Sequence, residues 1–297
     1  IGGDIQGAFD SIEDVPGDIR DPRFFAYRAS LLLAVGRVDE ARADIEKALS
    51  LNPKYSDALA LETIIYIVQN EKDKALDAAE SAVETNPDSA TAEIALSYAQ
   101  QAMFNLKGAL ASLEKAVQLD PKNALAWARL AEIRSSFGDL GKSLKAAEQA
   151  AALEPNLSRT QTVLGFAYLT QVETKQAKAA FEKAIELDQA DYLPRLGLGL
   201  AKIREGDLHG GGRDIEIAAS LDPNNSIVRS YLGKTYFEEK RTKLDVREYE
   251  TAKQLDPLDP TPWFYDAIAK QTTNRPVEAL QNMQRSIELN DNRAVYR

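Results

Sequence analysis

Residues 119–155 read LDPKNALAWARLAEIRSSFGDLGKSLKAAEQAAALEP, a stretch closed at both ends by the same kind of tripeptide, Leu119-Asp120-Pro121 and Leu153-Glu154-Pro155. Between the two prolines the apolar residues recur at spacings of three, four and seven, which mark helices. Gly138 divides the stretch where a first helix should stop on a residue that tolerates positive φ. The same punctuation stands at Leu51-Asn52-Pro53, Asn86-Pro87, Leu221-Asp222-Pro223 and Leu255-Asp256-Pro257, and Leu187-Asp188-Gln189 and Leu289-Asn290-Asp291 fill the remaining slots. The period is 34 residues. With the proline slot set as position 32, eight contiguous repeats begin at residues 22, 56, 90, 124, 158, 192, 226 and 260.

Inside this register small residues recur where helices must touch. Position 27 holds Ala48, Ala82, Ala116, Ala150, Ala184, Ala218, Ala252 and Ser286, and position 8 holds Ala29, Thr63, Ser97, Ala131, Gly165, Gly199, Gly233 and Ala267. Position 20 is small except at Asp245, and position 24 carries the larger Ile45, Leu113, Phe181, Ile215, Tyr249 and Met283. Large and small side chains at fixed offsets interlock between neighbouring helices. Gly36, Asn70, Gly138, Gly206 and Asn274 share position 15, and Pro22, Pro194, Pro262 and Pro276 fall near helix starts, where a missing N–H costs little.

This pattern resembles the tetratricopeptide repeat family over about nine tenths of the chain. The family has a bulky residue at position 4, Leu at 7, small at 8, Tyr at 11, small at 20, aromatic at 24, Ala at 27 and Pro at 32. Trp127 and Trp263 take position 4, and Tyr66, Tyr168 and Tyr236 take position 11; Gln100, Arg134, Lys202 and Lys270 depart from it there. The resemblance implies an all-α, right-handed superhelical solenoid of helix-turn-helix repeats over residues 22–293. Residues 1–21, through Gly3, Ala8, Ile12 and Val15, align with the second helix of a truncated preceding repeat, and 294–297 with the start of a further one. The chain is therefore expected to continue on both sides.

Composition narrows the chemistry. There is no Cys, one His and two Met, which removes disulfides, cysteine nucleophiles and Cys/His zinc sites. No Walker loop, Gly-x-Ser-x-Gly elbow or His-Glu-x-x-His motif occurs, and the Gly197-Leu198-Gly199 start of a dinucleotide-like pattern has Lys202 in its third slot. His209 reads as an exposed turn residue. The adjoining Gly210, Gly211 and Gly212 each weaken a helix by about 1 kcal/mol relative to Ala, so the second helix of the sixth repeat is expected to start late or fray. No catalytic residue, metal or cofactor is expected, and the reading is of a non-enzyme.

The net charge is −10, with 19 acidic and 9 basic residues in 1–100 and 27 of each in the remainder. Such a field disfavours nucleic acid as a partner, and no apolar run is long enough for membrane insertion.

What the resemblance implies about function lies in the concave face, lined by first-helix positions 2, 5, 9 and 12. These place Ile64, Ile67, Ile94, Tyr98, Phe166, Leu169, Leu196, Leu200, Ile203 and Phe237 in an apolar groove for a peptide or protein ligand, interrupted at Glu132 and Ser135. Phe166 and Leu200 are the leading contact residues. The lysine, asparagine and arginine clamp of chaperone-binding members is missing from positions 5 and 9. The leading expectation is thus a protein-interaction scaffold. The alternative is a structural spacer or assembly arm of a larger protein, with end-to-end self-association; the last two repeats are similar in wording to repeat arms of large bacterial envelope proteins.

Overall fold

The computed structural model describes residues 5–13 and 19–289; Gly3, Val15 and residues 290–297 lie outside them. Among the described residues there are seventeen α-helices and no strand. After α1 (Ile5–Glu13) the helices alternate in two lengths. First helices of 13 residues are α2 (Pro22–Ala34), α4 (Ser56–Val68), α6 (Ala90–Ala102), α8 (Ala124–Ser136), α10 (Ser158–Thr170), α12 (Tyr192–Arg204), α14 (Ser226–Glu238) and α16 (Pro260–Thr272). Second helices of 14 residues are α3 (Val38–Leu51), α5 (Lys72–Thr85), α7 (Leu106–Leu119), α9 (Leu140–Leu153), α11 (Thr174–Leu187), α13 (Leu208–Leu221), α15 (Thr242–Leu255) and α17 (Pro276–Leu289).

The helix ends follow from local chemistry. Asp21, Ser89, Asn105, Asn123, Asp191, Asp207, Asn225 and Asp259 are N-caps whose side-chain oxygens accept an N–H from the first turn, satisfying donors that the helix cannot. Every first helix ends on a left-handed residue, at Gly36, Asn70, Phe104, Gly138, Val172, Gly206, Lys240 and Asn274. At the far end of the pairs closed by α3, α5, α7, α9, α11, α13 and α15 the cap N–H donates to the position-27 carbonyl, as from Asn52 to Ala48 and from Asp256 to Ala252.

By its contacts the chain divides into two units, residues 1–167 and 168–297, with the division inside α10. The first unit is a stack of antiparallel helix pairs. The first helices α4, α6 and α8 pack on their own second helices and on the pair before, as α6 does on α7, α5 and α4. Its largest core joins Ala109, Leu113 and Ala116 to Leu130, Ile133, Ala146, Ala150 and Val163. The second unit stacks α11 to α17 in the same way around Leu196, Ile215, Ala218, Val228, Leu232 and Tyr236. The core is narrow and renewed at each pair, the arrangement of a helical solenoid, and the small position-8 and position-27 side chains are buried because helix backbones meet there.

The glycine run corrects one expectation. The helix α13 begins at Leu208, in register with the other second helices, and contains Gly210, Gly211 and Gly212 without delay. Asp207 caps it through Gly210 N at 2.8 Å. A Cβ on Gly211 would stand 2.4 Å from the carbonyl oxygen of Gly199, so α12 and α13 approach more closely than any larger residue permits. Packing supplies what intrinsic helix propensity lacks.

Candidate functional site

In the first unit, the first helices of three successive pairs leave a cleft of about 340 Å³. Thr91, Ile94 and Tyr98 come from α6, Asn123, Leu125 and Arg129 from the start of α8, and Arg159 from α10. Asn123 fixes the mouth, since its Oδ1 accepts from Ala126 N at 3.0 Å and starts α8 there, leaving Leu125 on the first turn 51% exposed. The floor is apolar and one wall is cationic.

That wall is built around Arg129, only 7% exposed. Its guanidinium lies over the Tyr98 ring, 4.0 Å from the centroid, in the geometry of a cation–π contact. Nη2 donates to Gln101 Oε1, and Nη1 donates to Glu132 Oε2 at 3.1 Å. Arg159 Nη2 donates to the other oxygen, Glu132 Oε1. One carboxylate thus bridges two guanidinium groups, and Arg129 Nε has no acceptor. The wall carries one positive charge in excess.

The ten expected groove residues divide between the units. In the first, Ile64, Ile67, Ile94, Tyr98 and Phe166 are half-buried. Ile67 packs toward Ala75, Ala79 and Ala99, and Ile94 packs against the main core while also lining the cleft. In the second unit, Leu200, Ile203 and Phe237 are half-buried, the first two resting on the core around Leu196. Leu196 and Leu169 are 4% and 8% exposed, so both serve packing and offer a ligand almost no surface. Ile94 and Tyr98 alone of the ten line the cleft, and Thr91, Asn123, Leu125, Arg129 and Arg159 join them. Arg129 stands at position 6, outside the transferred set, while Leu125 and Arg159 stand at position 2 and Glu132 at position 9. For Arg159 and Glu132 the signal was present, as a polar pair at facing positions of adjacent repeats.

Elsewhere several buried carboxylates are engaged in the fold. Asp44 pairs with Arg28 at 2.6 Å, Asp214 with Lys202 at 2.6 Å and Glu248 with Arg229 at 2.9 Å, each carboxylate buried between the helices of its own pair. Asp266 receives Lys253, Lys270 and Asn282; burial opposes its ionisation, but the two lysines hold it below the ordinary carboxylate value. His209 is 85% exposed in its side chain, with Nδ1 3.2 Å from Glu239 Oε1. Among the described residues no group of three His, Asp or Glu side chains is placed to hold a metal ion, and no helix is long and apolar enough to cross a membrane.

One tetratricopeptide repeat family model matches residues 32–100, and a second matches 94–123 and 158–191. No curated protein matches the sequence. Among solved structures, the APC/C hetero-tetramer Cut9-Hcn1 is similar with a TM-score of 0.79 at 18% identity, over 98% of this chain and 57% of that one. This chain therefore spans little more than half the length of that relative. A tetratricopeptide repeat protein from Parabacteroides merdae gives 0.63 at 16% identity over 82% and 96% of the two chains. The human IFIT1 dimer with m7Gppp-AAAA gives 0.68 at 16% identity over 96% and 76%. At such identities the likeness is one of fold. Capped helix pairs at a 34-residue interval, small residues buried at positions 8 and 27, and the two family models together show that this chain is built of tetratricopeptide repeats, a kind of repeat that generally mediates protein–protein interaction.

Proposed function

We propose that the protein is a non-enzymatic scaffold that holds a peptide or protein segment against the first-helix face of its repeats. The observation that carries this reading is the cleft between α6, α8 and α10, lined by the apolar Ile94, Tyr98 and Leu125 and by the polar Thr91, Asn123, Arg129 and Arg159. Burying apolar side chains of an extended or helical segment there, with a few polar contacts to set its direction, is the physics of peptide recognition in grooves. The half-buried Leu200, Ile203 and Phe237 offer a second apolar stretch in the other unit.

The test is affinity capture from the source organism's lysate, with the parent protein set beside a Tyr98→Ala, Leu125→Asp variant whose helix content circular dichroism shows to be intact. A polypeptide held by the parent and lost by the variant is expected. The same polypeptides on both, or none on either, would overturn the reading. A Leu200→Asp variant asks the same of the second unit.

A specific observation favours the assembly-arm alternative. At position 28 Val117, Ala151, Ile185, Ala219 and Lys253 are at most 8% exposed and Leu49 and Val83 are half-buried, whereas Ile287, in the last described helix, is 37% exposed, with Leu280 at 65%. Light scattering across a concentration series reads self-association through this face, and a monomer at every concentration counts against it.

A further inference from the structure

We infer that the cleft of the first unit selects a segment carrying an Asp or Glu side chain next to an apolar residue, and that Glu132 is an internal stand-in for that side chain. The inference rests on the proposed peptide-binding reading and names the chemistry of its ligand. Two guanidinium groups converge on one carboxylate, Arg129 through Nη1 and Arg159 through Nη2, so the wall keeps a positive charge that Glu132 alone does not balance. Arg129 is held by the Tyr98 ring and by Gln101, and its position does not depend on a ligand. The side chain of Arg159 is 41% exposed and that of Glu132 26% exposed, and a carboxylate arriving from the cleft meets both from the solvent side. Guanidinium groups favour paired, charge-assisted hydrogen bonds to carboxylates.

The apolar floor sets the rest of the motif. Ile94 and Leu125 lie within the same cleft as the arginines, so an apolar side chain beside the acidic one is buried by the same docking. A side-chain carboxylate is preferred over a chain terminus because positions 5 and 9 of this repeat are Ile94 and Tyr98, with no amide or ammonium group to hold a terminal main chain. Glu132 displays the reach required, being itself a glutamate that spans both arginines. The acidity of residues 1–100 does not defeat the attraction, because charges more than about 8 Å away are largely screened at physiological salt.

The experiment selects random heptapeptides displayed as N-terminal fusions, which offer no free C-terminus, on the 297-residue protein and on Arg159→Gln, Glu132→Gln and Tyr98→Ala, Leu125→Asp variants, each checked for helix content. Peptides from the parent should share one Asp or Glu beside an apolar residue. That enrichment should vanish on Arg159→Gln, and Glu132→Gln should bind the selected peptides about fivefold more tightly, because the competing carboxylate is gone. Cleft-dependent peptides with no acidic preference, or weaker binding to Glu132→Gln, overturn the inference and leave the peptide-binding reading standing. Peptides that bind the Tyr98→Ala, Leu125→Asp variant as well as the parent overturn both. Synthetic copies that bind only with a free C-terminal carboxylate overturn the assignment to a side chain.

Discussion

Gly199 and Gly211 face each other across α12 and α13 so closely that a Cβ on either would collide with the other's carbonyl oxygen, at 2.7 Å from Gly199 and 2.4 Å from Gly211. Contacts this short make something shift, and what lies there is backbone. Gly211→Ala should therefore destabilise the second unit by about 2 kcal/mol through overpacking, although Ala is the better helix former. Gly141, in the first turn of α9, has nothing within 4 Å of where its Cβ would be. Gly141→Ala should raise the melting temperature slightly, by up to about 1 kcal/mol of stability. Thermal denaturation of the two variants should show opposite signs.

The left-handed turn after each first helix makes a second prediction. Val172 has φ +66° and is 59% exposed, so a β-branched residue is held in a region it avoids without burial to offset it. Val172→Gly should stabilise the protein by about 0.5–1 kcal/mol, after allowance for the greater freedom of glycine in the unfolded chain. Gly138→Val, at the same position of the fourth repeat and at φ +74°, should cost about 1–2 kcal/mol. Equal melting temperatures for parent and Val172→Gly would show that the turn carries no strain.

Asp245 occupies the position-20 slot that is Ala, Ser or Gly in the other repeats, and it is 2% exposed. Burial pushes its carboxyl above the ordinary value of 3.8, with the charge of Asp266 adding to the effect and the Val246 N–H opposing it. A raised carboxyl binds its proton more tightly in the folded state, so ionisation lowers stability as the pH climbs through the folded value. Asp245→Ala should stabilise by about 1–2 kcal/mol at pH 7.5, and the gain should shrink at pH 4.5. Denaturant melts at the two pH values measure both the sign and the trend.

The Asp266 cluster behaves oppositely. Its carboxylate is 1% exposed and is met by Lys253 Nζ at 2.5 Å and Lys270 Nζ at 2.7 Å, with the Trp263 ring 4.6 Å from Lys253. Asp266→Asn would leave Lys253 buried without its closest partner, at a cost of about 3–5 kcal/mol. Because the folded carboxyl lies below 3.8, its contribution is present above that pH and is lost as the pH falls through the folded value. The variant should therefore lose stability at pH 7 and converge on the parent in acid, as urea melts would show.

Much of this was legible in the residues. The proline slots and the Ala at position 27 carry the helix pairing, because a close backbone contact tolerates few side chains and repeats at each pair. The turns were legible at Gly36 and Asn70 but not at Phe104, Val172 or Lys240, where the neighbouring helices impose a conformation that the residue itself resists. The groove was less legible. Position 5 turns toward the neighbouring helix, so Ala60, Ala128 and Leu196 are all buried there, whereas position 9 stays partly open at Ile64, Tyr98, Phe166 and Leu200. An apolar pattern at positions 2, 5, 9 and 12 leaves out Arg159 and makes Glu132 an interruption, since nothing in a single repeat reveals that the two meet across an interval of 27 residues.

The cleft takes its walls from three consecutive helix pairs, and none of the three contains it. The specificity proposed for it is consequently a matter of adjacency: shuffling the order of these pairs would separate Arg159 from Glu132 while every pair kept its fold, and copying the run from α6 to α10 intact would be needed to transplant the cleft. In a lineage where such pairs are duplicated or deleted, clefts with new linings would arise at the junctions, without a change to any residue.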